Sequence, residues 1–162
     1  MSLEEFKTVD ASTLPIGKLI TIIARGQTLY LNHTLVGLGI NATQLHFLFE
    51  IYHQNNMNQE NIAERCNINK GAVARSIKKL EDNGLVIREI DENNRRQNRV
   101  SLTDKGKKTL KESISILKIW EDEVFKGNAI EKTVLQQALK EIAIKTMELN
   151  QEGCNGKKEQ KH

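Results

Sequence analysis

Proline is nearly absent from the chain: Pro15 is the only one among 162 residues. Proline breaks helix interiors, so a sequence this free of it and rich in Leu, Ile, Lys and Glu predicts a mostly helical protein. Cysteine is scarce too, with Cys66 inside a helical pattern and Cys154 in a polar tail. Two thiols in such unlike contexts suggest neither a disulfide framework nor a metal site, and free thiols fit a reducing compartment. No run approaches the roughly 18 consecutive apolar residues of a membrane span. The opening MSLEEFKTVD is acidic and polar, unlike a signal peptide. A cytoplasmic location with no membrane partner is therefore expected. Catalytic signatures are missing as well: there is no Gly-rich phosphate loop and no nucleophile elbow. His33, His46, His53 and His162 do not group with carboxylates at metal-ligand spacing, and the pair His46 and His53, seven apart on one helix, lacks a third ligand. Neither an enzyme nor a cofactor or metal site is expected.

What is present is an uneven charge distribution. The formal net charge is only +3, but residues 1–60 carry a net −2, residues 61–106 a net +3 and residues 107–162 a net +2. The middle of the chain thus turns basic where DENNRRQNRV, Asp91 to Val100, lies between the apolar runs LVIREI and VSL. A hairpin turn needs only one or two of Gly, Asn or Asp, so its arginines exceed what the geometry demands.

Periodicity organises the rest. After Pro15, apolar residues recur at three- and four-residue steps from Ile16 to Leu38, with Ile22 and Leu29 widening the stripe, until Gly37 and Gly39 end it. Asn41 with Gln44 forms a capping-box pattern for a helix whose Leu45, Leu48, Phe49 and Tyr52 make one face. Two short helical patterns follow, Asn58 to Cys66 with Ile62 and Ala63 inward, and Asn69 to Asn83 with Val73, Ile77 and Leu80 inward. So tight a connection makes them a helix-turn-helix. Gly84 is placed to take a left-handed conformation, and the period then changes: Leu85 to Ile90 and Asn98 to Leu102 read as strands joined by the turn 91–97. Thr103 can cap a helix striped by Leu110, Ile114, Leu117, Trp120 or Glu121, and Val124; after Gly127 and Asn128, Ile130 to Met147 define a last helix. The fold class expected is mainly α with a small β-hairpin wing. The expected segments are an amino-terminal helix (10–38), a winged helix-turn-helix unit (41–102), carboxy-terminal helices (103–150) and a disordered tail (151–162); the long helices could bury their stripes on one another within a chain, or on a second chain as dimerisation helices.

The stretches NQENIAERCNINKGAVARSIKKLEDNGLVIRE and NRRQNRVSLTDKGKKTL carry a resemblance to the MarR family of winged helix-turn-helix transcription regulators, covering about residues 14 to 149. The resemblance implies a homodimer that binds double-stranded DNA at a pseudo-palindromic operator, as a repressor. In the family pattern an aspartate stands two residues before a wing arginine; here that slot reads Asn94-Arg95-Arg96, so Arg96 matches and Asn94 departs. The change removes a charge able to orient the arginine. On the second helix of the motif, Asn69, Lys70, Gly71, Ala72, Ala74, Arg75, Lys78 and Lys79 are left outside. Arg75 is the candidate for a base contact, the lysines for phosphate contacts, and Arg95 and Arg96 for the wing. For Lys78 and Lys79 a solvated face paired with Asp82 is the competing reading, and Arg99 could pair across the hairpin with Glu89.

Members of the family that sense oxidants do so through thiols near the amino-terminal helix, where this chain has none; Cys66 falls at a packing position and reads as a small buried hydrophobe. Many members bind small aromatic acids between their helical and winged parts, and a salicylate-like effector here would meet Arg25, Tyr30, His33 and His46. The alternative from another class is a winged-helix adaptor that binds protein, which requires an apolar recognition face.

Overall fold

The computed structural model describes residues 2–54, 57–90 and 98–159, with the backbone alone for 152–159. In chain order the elements are α1 (Leu3–Thr8), a 3-10 turn (Ala11–Thr13), α2 (Ile16–Thr34), a second 3-10 turn (Leu35–Leu38), α3 (Ala42–His53), β1 (Met57–Asn58), α4 (Gln59–Cys66), α5 (Lys70–Asp82), β2 (Val86–Ile90), β3 (Asn98–Leu102), α6 (Asp104–Phe125) and α7 (Lys132–Glu159). The three strands form one antiparallel sheet in the order β1-β3-β2. The chain divides into two compact units, Met1–Trp120 and Glu121–His162. The fold is the mostly helical one with a hairpin that the periodicity predicts.

Local chemistry explains where the helices begin. Asn41 Oδ1 accepts from the Gln44 amide at 2.9 Å while Gln44 Oε1 accepts from the Asn41 amide at 3.1 Å, a reciprocal capping box at the start of α3. Asn58 and Asn61 make the equivalent exchange at α4, at 2.8 and 3.4 Å. Ser2 and Glu5 do so at α1, a helix the apolar periodicity did not reveal but whose S-x-x-E signature is visible in the sequence.

The turn between α4 and α5 rests on Asn67, with φ 52° and ψ 44°, the one non-glycine residue at positive φ among those described. Asparagine tolerates this left-handed conformation better than most L-residues. It lets the Ile68 amide reach back to the Ala63 carbonyl at 3.0 Å, closing α4. Two residues later Asn69 Oδ1 accepts from the Ala72 amide at 2.8 Å and opens α5. Gly84 takes φ 68° at the end of α5, as expected from its place there.

These elements enclose one core in the first unit. Phe47, Leu48, Ile62, Val73, Ile77, Leu80 and Val100 are completely buried, and Leu45, Ile51, Met57, Leu85, Val86 and Leu110 nearly so. The α3 face differs from the expected one: Phe47 and Ile51 are buried while Tyr52 is 55% exposed. With α2, α4, α5 and β3 all against it, α3 is covered on more than one side, so a single stripe does not describe it. The strand β1 was not foreseen. Two residues give no alternation to read, and Met57 is recruited by pairing with Val100 on β3.

The inward face of α6 also differs. Gly106, Thr109, Leu110 and Ser113 are buried, whereas Ile114 and Val124 are 44% and 50% exposed. Close backbone approach selects small residues there: Thr103 Oγ1 donates to the Gly84 carbonyl at 2.7 Å and accepts from the Gly106 amide at 3.0 Å, bringing α6 down on the end of α5. In the second unit, the end of α6 from Glu121 leads through Gly127, at φ 75°, into α7, with Lys132 paired to Glu121. No residue of α7 whose burial is described is buried. The helix continues to Glu159, through most of the tail expected to be disordered; NQEGCNGKKE contains no proline, and backbone hydrogen bonding continues without an apolar stripe. Among the described residues no helix is long and apolar enough to cross a membrane.

A Cβ added at Gly106 would lie 2.0 Å from the Leu85 carbonyl oxygen, a backbone atom that cannot turn aside. Gly106→Ala is therefore expected to lower unfolding free energy by about 3 kcal/mol, at the upper end of overpacking costs. Denaturant titration followed by circular dichroism checks this; an unchanged midpoint would contradict the packing described.

Candidate nucleic-acid interface

The second helix of the motif, α5, has two unlike faces. Val73, Ile77 and Leu80 point inward with no exposed surface. Gly71, Arg75, Lys78 and Lys79 lie on the opposite face at four- and three-residue spacing and are exposed, as are Asn69 and Lys70 at its start; Ala72 and Ala74 are half-buried on its flanks. The structure thus brings the eight helix residues of the predicted site onto one end and one face of a single helix. Arg95 and Arg96, with Asn94, lie outside the described residues, between strands β2 and β3.

Side-chain partners differentiate these residues. Asn69 is already engaged as the cap of α5. A Cβ built on Gly71 would lie 3.6 Å from Arg75 Nη1, so the Arg75 side chain extends back along the helix toward its amino-terminal end. Lys70 Nζ donates to Glu60 Oε1 at 2.6 Å, an ion pair between α5 and the first turn of α4. The Glu60 hydrogen bond and charge, with Glu64 beyond, hold the Lys70 ammonium above its ordinary pKa. Lys78 pairs with Asp82 at 3.2 Å, which supports the solvated-face reading of Lys78 in the free protein. Arg75 and Lys79 take part in no ion pair with the described residues.

The hairpin beside α5 is anchored independently. Arg88 of β2 lies with its Nε 3.1 Å from Glu81 of α5, a contact the sequence reading did not single out. Arg99 and Glu89 face each other in the β2–β3 register, as the hairpin alignment requires for the pair considered above.

The effector candidates are less concentrated. Tyr30 is half-buried against the core, while Arg25, His33 and His46 are exposed, and no hydrogen bond joins any of the four to another. His53, by contrast, stacks on Phe49 with ring centroids 6.3 Å apart and planes 6° from parallel, a packing role.

Cys66 is half-buried at the end of α4 and packs against the core. Burial foremost, and then the Glu50 carboxylate, push its thiol above the ordinary pKa, against a smaller opposing effect of Arg65. A raised pKa leaves less thiolate at pH 8, and the thiolate is the nucleophile. In a Cys154→Ser background, iodoacetamide should modify Cys66 more slowly at pH 8 than it modifies N-acetylcysteine, and guanidinium should abolish the difference. Equal rates in the folded state would contradict the placement. Removing the α5 cap with Asn69→Ala should lower stability by about 1 kcal/mol, measurable by denaturant unfolding, whereas Asn69→Ser retains most of it.

Comparison with known proteins agrees with this geometry. The family model described as MarR family matches residues 40–97, a range that includes α3, α4, α5 and β2. The HTH-type transcriptional regulator BilQ of Clostridium symbiosum (strain WAL-14163) is 31% identical over 104 residues, which are 64% of this chain and 72% of that protein. A MarR transcriptional regulator from Methanosarcina mazei Go1, known by crystal structure, is 32% identical with a TM-score of 0.76, over 83% of this chain and 97% of that one. A crystal structure of MarR superposes with a TM-score of 0.80 over 89% of this chain and 98% of that one, and at 24% identity supports the fold alone. The winged helix-turn-helix that presents α5 is thus the family's own, and the chain belongs to the MarR family of transcriptional regulators.

Proposed function

We propose that the protein binds double-stranded DNA as a homodimer, with α5 in the major groove, and represses transcription from a pseudo-palindromic operator. The observation that carries this reading is the division of α5: one face buries Val73, Ile77 and Leu80, and the other presents Lys70, Arg75, Lys78 and Lys79 beside the small residues Gly71, Ala72 and Ala74. A helix fits the major groove, where base edges carry a distinct pattern of donors and acceptors. Arg75, exposed and outside any ion pair with the described residues, serves as the base-reading group, with guanine N7 and O6 as its natural acceptors. Lys79, and the two lysines now paired with carboxylates, contact phosphates and add affinity without sequence information. Arg95 and Arg96 on the wing reach the adjacent minor groove, where negative potential favours arginine. A winged-helix adaptor for protein would need an apolar face where α5 carries cations.

Uncovered apolar surface supports the dimer. Ile16, Ile20 and Ile23 of α2 are 40–66% exposed, and Val134, Leu139, Ile142 and Met147 of α7 are 42–63% exposed. A second copy covers these faces through residues 10–38 and 104–149, and its two-fold axis sets half-sites one helical turn, ~10–10.5 bp, apart. A salicylate-like acid held near Arg25, Tyr30, His33 and His46 releases the DNA by changing the spacing of the two recognition helices.

Light scattering coupled to size exclusion should give twice the 18.4 kDa chain mass at micromolar concentration; a monomer would overturn the symmetric operator. Arg75→Ala should cost about 1–3 kcal/mol on operator DNA and less on random DNA, in a gel shift with DNA upstream of the gene. An equal loss on both would make Arg75 a phosphate contact. Repeating the shift with salicylate tests release, and unchanged binding would count against that effector.

A further inference from the structure

Of the four cations on α5, Lys70 is, among the described residues, the one tied to another helix. Its ammonium lies 2.6 Å from Glu60 in the first turn of α4, and both side chains are solvent-accessible, 70% and 53% exposed. Lys78 pairs differently, with Asp82 four residues along its own helix at 3.2 Å, an ordinary intrahelical surface pair. Lys70 is also the first residue of α5, where the helix amino-terminus itself favours an anion. A phosphate approaching this end of α5 would meet an attractive helix terminus, an attractive ammonium and a carboxylate already holding that ammonium.

We infer that Glu60 restrains sequence-independent DNA affinity by competing with DNA phosphate for Lys70. This inference rests on the DNA-binding reading of α5 and concerns one element of it. A phosphate contact by Lys70 requires the Glu60 pair to open or to be shared, and the freed carboxylate then stands near DNA phosphates with the same sign of charge. Both effects weaken binding without regard to base sequence, because phosphate contacts carry none. Random DNA is the larger competitor in a cell, so a built-in limit on this component keeps the regulator from being held at non-operator sites. Glu64, the further carboxylate of α4 acting on Lys70, acts through space and makes no hydrogen bond to it.

The test is a double-mutant cycle on the full chain with a fluorescein-labelled duplex of random sequence, read by anisotropy at several salt concentrations. Glu60→Gln should bind roughly three- to fivefold more tightly than the parent, the scale of an exposed ion pair. In a Lys70→Gln background the same substitution should give much less gain, because the competition has lost its object. Equal gains in both backgrounds would overturn the inference, reducing Glu60 to general charge repulsion, and so would no gain in either. Failure of the parent itself to bind the duplex at low salt would overturn the DNA-binding reading as well, which separates the two failures. Glu60 is exposed, so the variant folds; matching circular dichroism melts confirm that comparison.

Discussion

The burial of Val73, Ile77 and Leu80 on one side of α5 is the constraint from which the rest of the site follows. These three side chains lock the helix against α3, α4 and β2, so its opposite face cannot rotate. A helix of 13 residues held this way presents Arg75, Lys78 and Lys79 in a fixed direction, although no ion pair with a described residue of another element holds their tips. Losing that apolar anchor would leave the same cations on a helix free to turn, with charge but without orientation.

Both ends of α5 are held as well, by different chemistry. At its start, the left-handed Asn67 and the Asn69 cap set the angle from α4. At its end, Asn83 Nδ2 donates to the Gly39 carbonyl at 3.2 Å, and Lys105 Nζ donates to the Asn83 carbonyl at 2.8 Å. The cation placed on the last carbonyls suits the negative end of the helix dipole. Thus the turn before α3, the end of α5 and the start of α6 meet at one residue.

Much of this was legible in the sequence because its signals are local and redundant. The Asn41–Gln44 box, the three-residue turn at Asn67, Gly84 and the Val73-Ile77-Leu80 stripe each announce themselves within a few residues, and each is where the periodicity put it. What escaped depends on distant partners. β1 exists because Val100 pairs with Met57, and glycine at position 106 of α6 is selected by the Leu85 carbonyl, far away in sequence. The candidate site shows the same division. Helical spacing predicted which residues share the exposed face of α5, but the Lys70–Glu60 pair bridges two helices across a turn and has no periodic signature. The full reach of α3 burial was likewise invisible, since an amphipathic stripe reveals one covering layer and α3 has several.

Amide hydrogen exchange of the full chain, with and without a saturating duplex at low salt, tests the central claim most directly. An account in which α5 and the hairpin form the DNA surface predicts slowed exchange in α4, α5 and the segment joining β2 to β3, with α7 unchanged. Protection confined to α2 or α7, with α5 exchanging as before, would contradict it.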